Sequence, residues 1–390
     1  MIKKNKYGQY FTIETIAEFM VSLIKQGMEA KVLEPSCGKG VFFKMLYKHG
    51  FKSIKGYEID ATLDNPYKNV VEYKSFICSP LSERFNVVIG NPPYIRWKNL
   101  EDNLKRELAQ SALWNKYFNS LCDYLFIFIL KSIEQLKDNG ELIFICPEYW
   151  LNTTHSASLR NYMCVNGYFS DIYLFKETTL FEGVTSSFVI FRYIKSKKQA
   201  SEIVLHKYTK REKPNLDELI DGSCFVIEQI PSFQIGKRWI LATKSKQNLL
   251  KSFQNSCIQN KSLFPNSETF YRIGDFCDIG NGMVSGLDKA FKVTDIDVLN
   301  EDERNSLIKV NKAKDLDQYS NIGTSYYFFI KDDMKEKDFA AKFPHFYKQL
   351  MPYKELLEKR YSYGRNLPIW QFAFPRNEQL FNRDVSRIFV

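Results

Sequence analysis

Six short apolar runs punctuate the first 195 residues, and the stretches between them carry apolar residues at helical spacing. The runs are Lys31–Glu34, Ser53–Glu58, Asn86–Ile89, Glu141–Cys146, Ile172–Phe175 and Ser187–Tyr193. The helical stretches include Ile13–Gln26, Val41–His49 and Tyr124–Lys137. Strands this short and this apolar are buried on both faces, so the alternation predicts an α/β fold: a doubly wound, mostly parallel sheet covered by helices on each side. The polar stretches Tyr193–Glu202 and Thr209–Glu218 then read as a boundary, with residues 196–215 as a linker between a domain at 1–195 and a second at 216–390. Beyond the boundary the pattern breaks into short aromatic-rich pieces, which predicts a mixed α and β domain with long loops.

The longest uninterrupted apolar stretch, Tyr124–Leu130, is far short of the roughly 20 residues that span a bilayer, so no membrane is expected. The basic start MIKKNKYGQY leads into no apolar signal segment. The 8 cysteines include no C-x-x-C pair, as expected of reduced thiols in a cytoplasm. His49, His155, His206 and His345 are too dispersed for a zinc site, and no metal is expected. The net charge of +10 is spread over both halves, which suits a phosphate backbone without demanding one.

Three segments carry chemistry. In KVLEPSCGKGVFF (Lys31–Phe43) a strand ends at an acid, and Gly38 and Gly40 open the next helix. Glycines there let backbone approach a ligand at the switch point of an open sheet. Pyrophosphate would be repelled by Glu34, whereas a cationic sulfonium bearing an amino group tolerates it. In KGYEID (Lys55–Asp60) a second strand ends in Glu58, placed to accept hydrogen bonds from both ribose hydroxyls of a nucleoside. In FNVVIGNPPYIRW (Phe85–Trp97) a strand runs into Asn91-Pro92-Pro93-Tyr94. Two prolines give up two backbone donors, so the loop presents acceptors, the Asn91 side-chain oxygen and the Pro92 carbonyl. Such a loop suits a planar amine whose lone pair is delocalised into a ring; hydrogen bonds from both N–H groups free that lone pair to attack a sulfonium methyl. Tyr94 adds a flat face on which the base can stack.

These segments resemble the S-adenosyl-L-methionine-dependent amino-methyltransferases, and within them the γ-class adenine-N6 DNA methyltransferases. Gly8-Gln9-Tyr10-Phe11-Thr12 is similar to the family's N-terminal motif, Glu34-Pro35-Ser36-Cys37-Gly38-Lys39-Gly40 to its cofactor loop, and Glu58-Ile59-Asp60 to its ribose-binding strand end. Cys122–Ile129, Glu141–Leu151 and Leu180–Arg192 look like its later motifs. The resemblance implies a Rossmann-like methyltransferase domain, S-adenosyl-L-methionine as cofactor and double-stranded DNA as substrate, with base flipping. It implies catalytic roles for Asn91, Pro92, Tyr94 and Phe181, the last packing against the extruded base. It implies cofactor contacts for Tyr10, Thr12, Glu34, Pro35, Ser36, Cys37, Gly38, Gly40, Glu58, Ile59, Ser75, Phe76, Asn91 and Pro93. It departs from the family at Ser75-Phe76, where an aspartate normally precedes the phenylalanine and bonds the adenine amino group. It covers residues 7–193 and grows faint afterwards.

Other readings share parts of this pattern. Cytosine-C5 transfer needs a Pro-Cys nucleophile, and the chain has only the reverse, Cys146-Pro147. Protein glutamine-N5 and RNA guanine-N2 methyltransferases share N-P-P-Y, and a catalytically silent nucleic-acid binder could keep the fold. For a DNA enzyme, residues 216–390 are the expected target-recognition domain, with Gly282, Met283, Ser285, Arg365 and Arg376 as DNA contacts. The apolar ending Arg387–Val390 suggests an incomplete C-terminus, and a restriction endonuclease or specificity subunit is the expected protein partner.

Overall fold

A computed structural model describes residues 10–176, 178, 180–181, 187–198, 200–210, 212–259, 277–312, 325–360, 362 and 365–380, with the side chains of 254–259 excepted. The chain divides into two compact units, Met1–Gln259 and Asn260–Val390.

The first unit is built on nine strands: β1 (Val32–Glu34), β2 (Ile54–Tyr57), β3 (Val71–Glu72), β4 (Phe85–Gly90), β5 (Leu136–Pro147), β6 (Gly167–Leu174), β7 (Phe188–Lys195), β8 (Glu202–Tyr208) and β9 (Phe225–Pro231). Their order in the sheet is β3-β2-β1-β4-β5-β7-β6-β8-β9. The pairs from β3 to β5 are parallel, and β7 enters antiparallel between β5 and β6. Side chains alternate between two apolar layers, Leu33, Val88, Leu142 and Phe144 on one face and Val32, Val87, Ile89, Ile143 and Ile145 on the other. Both layers are sealed, which is why these strands read as continuous apolar runs. The helix Tyr124–Gln135 covers the first face, and the helices Glu14–Ser22 and Val41–Lys48 cover the second. The α/β reading and all six expected strands are observed.

The boundary differs. Residues 196–215, read as a linker, contain β8, which pairs in parallel with β6, and β9 adds antiparallel to β8, so the compact unit continues to Gln259. In β8, Ile203 and Leu205 point into the core, and Lys207, further along the same face, reaches Glu228 of β9 at 2.6 Å, so a charge that makes the stretch look like a linker is paired within the sheet.

The second unit holds a three-stranded antiparallel sheet, β10 (Lys292–Val293), β11 (Leu307–Val310) and β12 (Ser325–Phe328), in the order β10-β12-β11. The short helices Glu336–Lys342, Pro344–Leu350 and Lys354–Glu358 pack on it, a mixed α and β arrangement. Aromatic rings fill its core: Phe328 stacks on Phe346 at 4.3 Å, and Phe339 on Trp370 at 4.5 Å. The aromatic pieces that look patternless along the chain are the interior of this small unit.

One charge is buried in the middle of the large sheet. Glu141 at the 1% exposure level is held by Arg192 Nη2 at 3.0 Å and Nε at 3.0 Å, and by the Lys25 backbone N–H at 3.1 Å. Removing one partner of such a pair strands the other. Arg192→Met is expected to lower unfolding free energy by about 3–5 kcal/mol in urea titrations, and Glu141→Gln/Arg192→Met by less than the single change.

Candidate active site

Parallel pairing of β2, β1 and β4 brings three strand ends to one edge of the sheet. Glu34 lies opposite Gly56 on β2, and Leu33 opposite Val88 on β4. Glu34, Glu58 and Asn91 therefore emerge side by side, and the loops that follow enclose a cavity of about 490 Å³, within the range of small-molecule sites. Every residue that the sequence assigns to the cofactor lines it: Tyr10, Thr12, Glu34, Pro35, Ser36, Cys37, Gly38, Gly40, Glu58, Ile59, Ser75, Phe76, Asn91 and Pro93.

The loop after β1 is tightly constrained. Ser36 Oγ donates to the Asn91 carbonyl at 3.0 Å, and Cys37 N donates to Tyr57 O at 3.0 Å. Gly40 has φ +81°, and a Cβ there would sit 2.8 Å from both Asn65 Oδ1 and a Tyr67 ring carbon, so only glycine fits. Asn65, fully buried, donates to Gly38 O at 2.9 Å and accepts from Tyr67 N at 2.9 Å. Nothing in the sequence marked Asn65 or Tyr67, because they come from an irregular loop after β2. Cys37 is a neutral packing group; burial, then the charges of Glu34 and Glu58, push its thiol far up.

The two acids differ. Glu58 accepts from Gly38 N and Asp60 N, each at 2.8 Å, so both oxygens are fixed by backbone. Burial raises its pKa in spite of those bonds. Glu34 is 1% exposed, and its Oε2 has no hydrogen-bond partner among the described residues. Burial, with the charge of Glu58 added, holds its pKa well above the usual range. An unpaired carboxylate facing a cavity is costly unless a cation or donor fills the space. The donor set thus fits a ligand that carries an ammonium group and a ribose.

Phe76 forms the far wall, its ring 5.3 Å from Phe128 and 5.8 Å from Tyr57. Ser75 precedes it, buried, in the place of the expected aspartate. The short turn Phe76–Cys78 is fastened from behind by Lys131, whose Nζ donates to Ile77 O and Ser79 O at 2.6 Å each and lies 5.1 Å from the Phe76 ring. Burial lowers this lysine to about 8. Sequence reasoning missed it because a lysine in an apolar helix reads as a snorkelling surface group.

The Asn-Pro-Pro-Tyr loop joins this cavity to a cluster of rings. Asn91 Nδ2 donates to Tyr10 O at 2.7 Å and Thr12 Oγ1 at 3.1 Å. Its Oδ1 meets the Tyr94 hydroxyl, which also reaches Ile145 O at 2.9 Å. Pro92 is buried behind the loop. Tyr94 offers a face, and Tyr10 stacks on it with centroids 5.7 Å apart and 19° between the planes. Phe181 approaches the same Tyr10 ring edge-on at 6.3 Å and packs on Phe188 at 4.7 Å. Tyr94 and Phe181 thus both contact the Tyr10 ring, and neither lines the cavity described above.

A family profile described as Eco57I restriction-modification methylase matches residues 22–181. Over 394 aligned residues, covering 100% of this chain and 74% of the relative, the sequence is 42% identical to the Type II methyltransferase M.HindII of Haemophilus influenzae. The chain belongs to the Type II restriction–modification DNA methyltransferases. M.HincII of Haemophilus influenzae is 39% identical over the same span. Among solved structures, the Type IIL restriction-modification enzyme MmeI, determined in complex with DNA, shares the fold, with TM-score 0.52 at 12% identity over 93% of this chain and 53% of that one. The methyltransferase uses S-adenosyl-L-methionine, as its family does. Among the described residues no helix is long and apolar enough to cross a membrane.

In the second unit the residues proposed to meet DNA come together locally. Val284 bridges Phe374, and Arg365 and Arg376 lie over the Phe374 ring at 5.3 and 5.4 Å. Gly282 is open on its outer side, and Met283 packs partly into the core. Ser285 is turned inward: at 3% exposure it donates to Asp288 Oδ1 at 2.6 Å, so its hydroxyl is committed to the fold. Arg365 is engaged with Ser362 O and Ala373 O, and Arg376 is exposed. Gly8, Gln9 and Arg387–Val390 lie outside the described residues.

The two acids generate a pH signature. Their folded-state pKa values lie above those of the unfolded chain, so they favour the folded cofactor-free protein at low pH, and that contribution is lost as pH rises through the raised values. Glu34→Gln removes the larger part. It is expected to raise the thermal midpoint of the cofactor-free protein at neutral pH while weakening S-adenosyl-L-methionine about tenfold or more, the worth of a charge-assisted bond. Scanning fluorimetry and calorimetry on one preparation measure both; a variant that gains stability with unchanged affinity shows that Glu34 does not meet the cofactor.

Proposed function

We propose that the methyltransferase modifies the N6 amino group of adenine in double-stranded DNA, after the base has left the duplex, as the modification arm of a restriction–modification system. What carries this reading is the pairing of an acceptor with a slot: Asn91 presents Oδ1 beside a space, bounded by Tyr94 and Phe181, that accommodates a planar ring. The target amine donates its two hydrogens to Asn91 Oδ1 and the Pro92 carbonyl, which draws the lone pair out of the ring and toward the methyl group. Bound S-adenosyl-L-methionine would supply that methyl as an electrophile, the electrons of the broken C–S bond returning to sulfur, and the methylated amine then gives up one of its two hydrogens as a proton to water. Glu34 holds the cofactor's ammonium group, Glu58 its ribose hydroxyls, and Ser75 with Phe76 its adenine. Tyr10 must leave the face of Tyr94 for the target base to enter. Adenine in preference to cytosine-N4 rests on the asparagine that opens the motif. The second unit recognises the DNA sequence, with Arg376 as an exposed cation for the backbone, and a nuclease or specificity subunit is the expected partner.

Three measurements test these assignments. Asn91→Ala is expected to abolish transfer of labelled methyl to unmodified DNA while leaving cofactor affinity within about threefold, since the lost acceptor acts mainly in the transition state. Digestion of the product to nucleosides must then show N6-methyladenine; label on N4-methylcytosine, or label that survives DNase on protein or RNA, rejects the substrate named here. With 2-aminopurine at the target position, extrusion brightens the complex, and Tyr94→Ala, which removes a quenching ring, brightens it further; an unchanged signal in both speaks against flipping. Arg376→Ala is expected to lower DNA affinity evenly across sequences and to reduce the slope of log K against log salt by about 1.

A further inference from the structure

The Asn91 carboxamide can be placed in two ways that differ by a half-turn, and only one serves the chemistry. With Oδ1 toward the target amine the group accepts. With Nδ2 there it sets donor against donor. We infer that Thr12 is a positioning residue for Asn91: its hydroxyl, together with the Tyr10 carbonyl, selects the productive orientation. This rests on the reading that Asn91 Oδ1 accepts from the target amine.

The bond inventory supports the inference. A primary amide nitrogen has two hydrogens and its oxygen two lone-pair directions. Both hydrogens of Asn91 Nδ2 have acceptors, Tyr10 O at 2.7 Å and Thr12 Oγ1 at 3.1 Å. On the other side Oδ1 meets the Tyr94 hydroxyl, whose single hydrogen is shared between Oδ1 and Ile145 O. Oδ1 therefore keeps acceptor capacity on the side of the ring slot. Turning the group over would press its oxygen against the Tyr10 carbonyl, leave that carbonyl without its donor, aim Nδ2 into the slot, and require Thr12 to donate to Oδ1, spending the one hydrogen it can otherwise give the cofactor. The two prolines that follow hold the loop backbone but cannot choose between amide faces. That choice comes from a segment about eighty residues earlier in the chain, laid across the loop at the N-terminal side of the helix Glu14–Ser22. A hydroxyl also has a hydrogen of its own, so Thr12 can serve the cofactor and Asn91 together.

The test separates these two duties. Thr12→Val keeps the shape and removes the acceptor; Thr12→Ser keeps the acceptor. Single-turnover methyl transfer to unmodified DNA is measured at saturating S-adenosyl-L-methionine, and cofactor affinity by calorimetry. Thr12→Val is expected to slow the saturated rate about tenfold, since Tyr10 O still favours the correct face, and Thr12→Ser to restore it to within about twofold. The saturated rate decides, whatever the affinity does. A Thr12→Val enzyme that reaches the wild-type rate once cofactor is saturating overturns the inference, because Thr12 then contacts the cofactor alone. A loss that Thr12→Ser does not restore overturns it as well. Asn91→Ala keeps the two claims apart: if it transfers methyl at the wild-type rate, the role of Asn91 fails, whereas an inactive Asn91→Ala beside a fully active Thr12→Val removes only the role of Thr12.

Discussion

Parallel pairing of β2, β1 and β4 is the constraint from which the rest of the site follows. In a parallel ladder all strands end at the same edge, so acids or amides placed at those ends are brought within reach of one ligand whatever their separation in sequence. Here the register places Glu34 opposite Gly56, two residues before Glu58, and seats the strand leading to Asn91 on the other side of β1. A slip of one residue would turn Leu33 and Val88 out of one apolar layer and Val32 and Val87 out of the other. The core thus sets the site: the sealed layers determine the register, and the register sets the spacing of the acids.

That edge is where the protein gives up stability. Glu34 is buried with an oxygen unpartnered among the described residues, and Glu58 remains raised in pKa although two backbone N–H groups bind it. Elsewhere in the same sheet a buried acid is treated differently. Glu141 receives a guanidinium and a backbone donor, so its charge is compensated within the fold. The contrast separates an acid compensated within the fold from acids that face a cavity. Lys131 belongs with the site in the same sense: a buried cation that bonds only carbonyls, it fixes the turn carrying Phe76.

The catalytic loop depends on parts distant in sequence. Its prolines restrict the backbone, but the Tyr94 hydroxyl is anchored on Ile145 of β5, and the Asn91 amide is gripped by Tyr10 and Thr12. The Tyr10 ring also contacts both Tyr94 and Phe181. The N-terminal segment therefore reaches both the cavity and the aromatic cluster beside it.

Much of this was legible from the amino-acid order. Fully buried strands must be apolar runs, a loop rich in proline must present acceptors, and glycines after a strand mark where backbone comes close to a ligand. Those are local necessities, and they place Glu34, Glu58, Asn91 and the strands β1, β2, β4, β5, β6 and β7. The tertiary structure decided what depends on partners. Strand β8 lies between charged stretches and looks like part of a linker until β6 supplies a pairing edge, and β9 looks like the start of the next domain until it pairs with β8. Ser285 looks exposed in a glycine-rich loop until Asp288 takes its hydroxyl. Asn65 and Lys131 have no motif at all, because their importance comes from which backbone groups they reach across the fold. Local sterics can be read along a chain, whereas hydrogen-bond and ring partners are assigned only when distant segments meet.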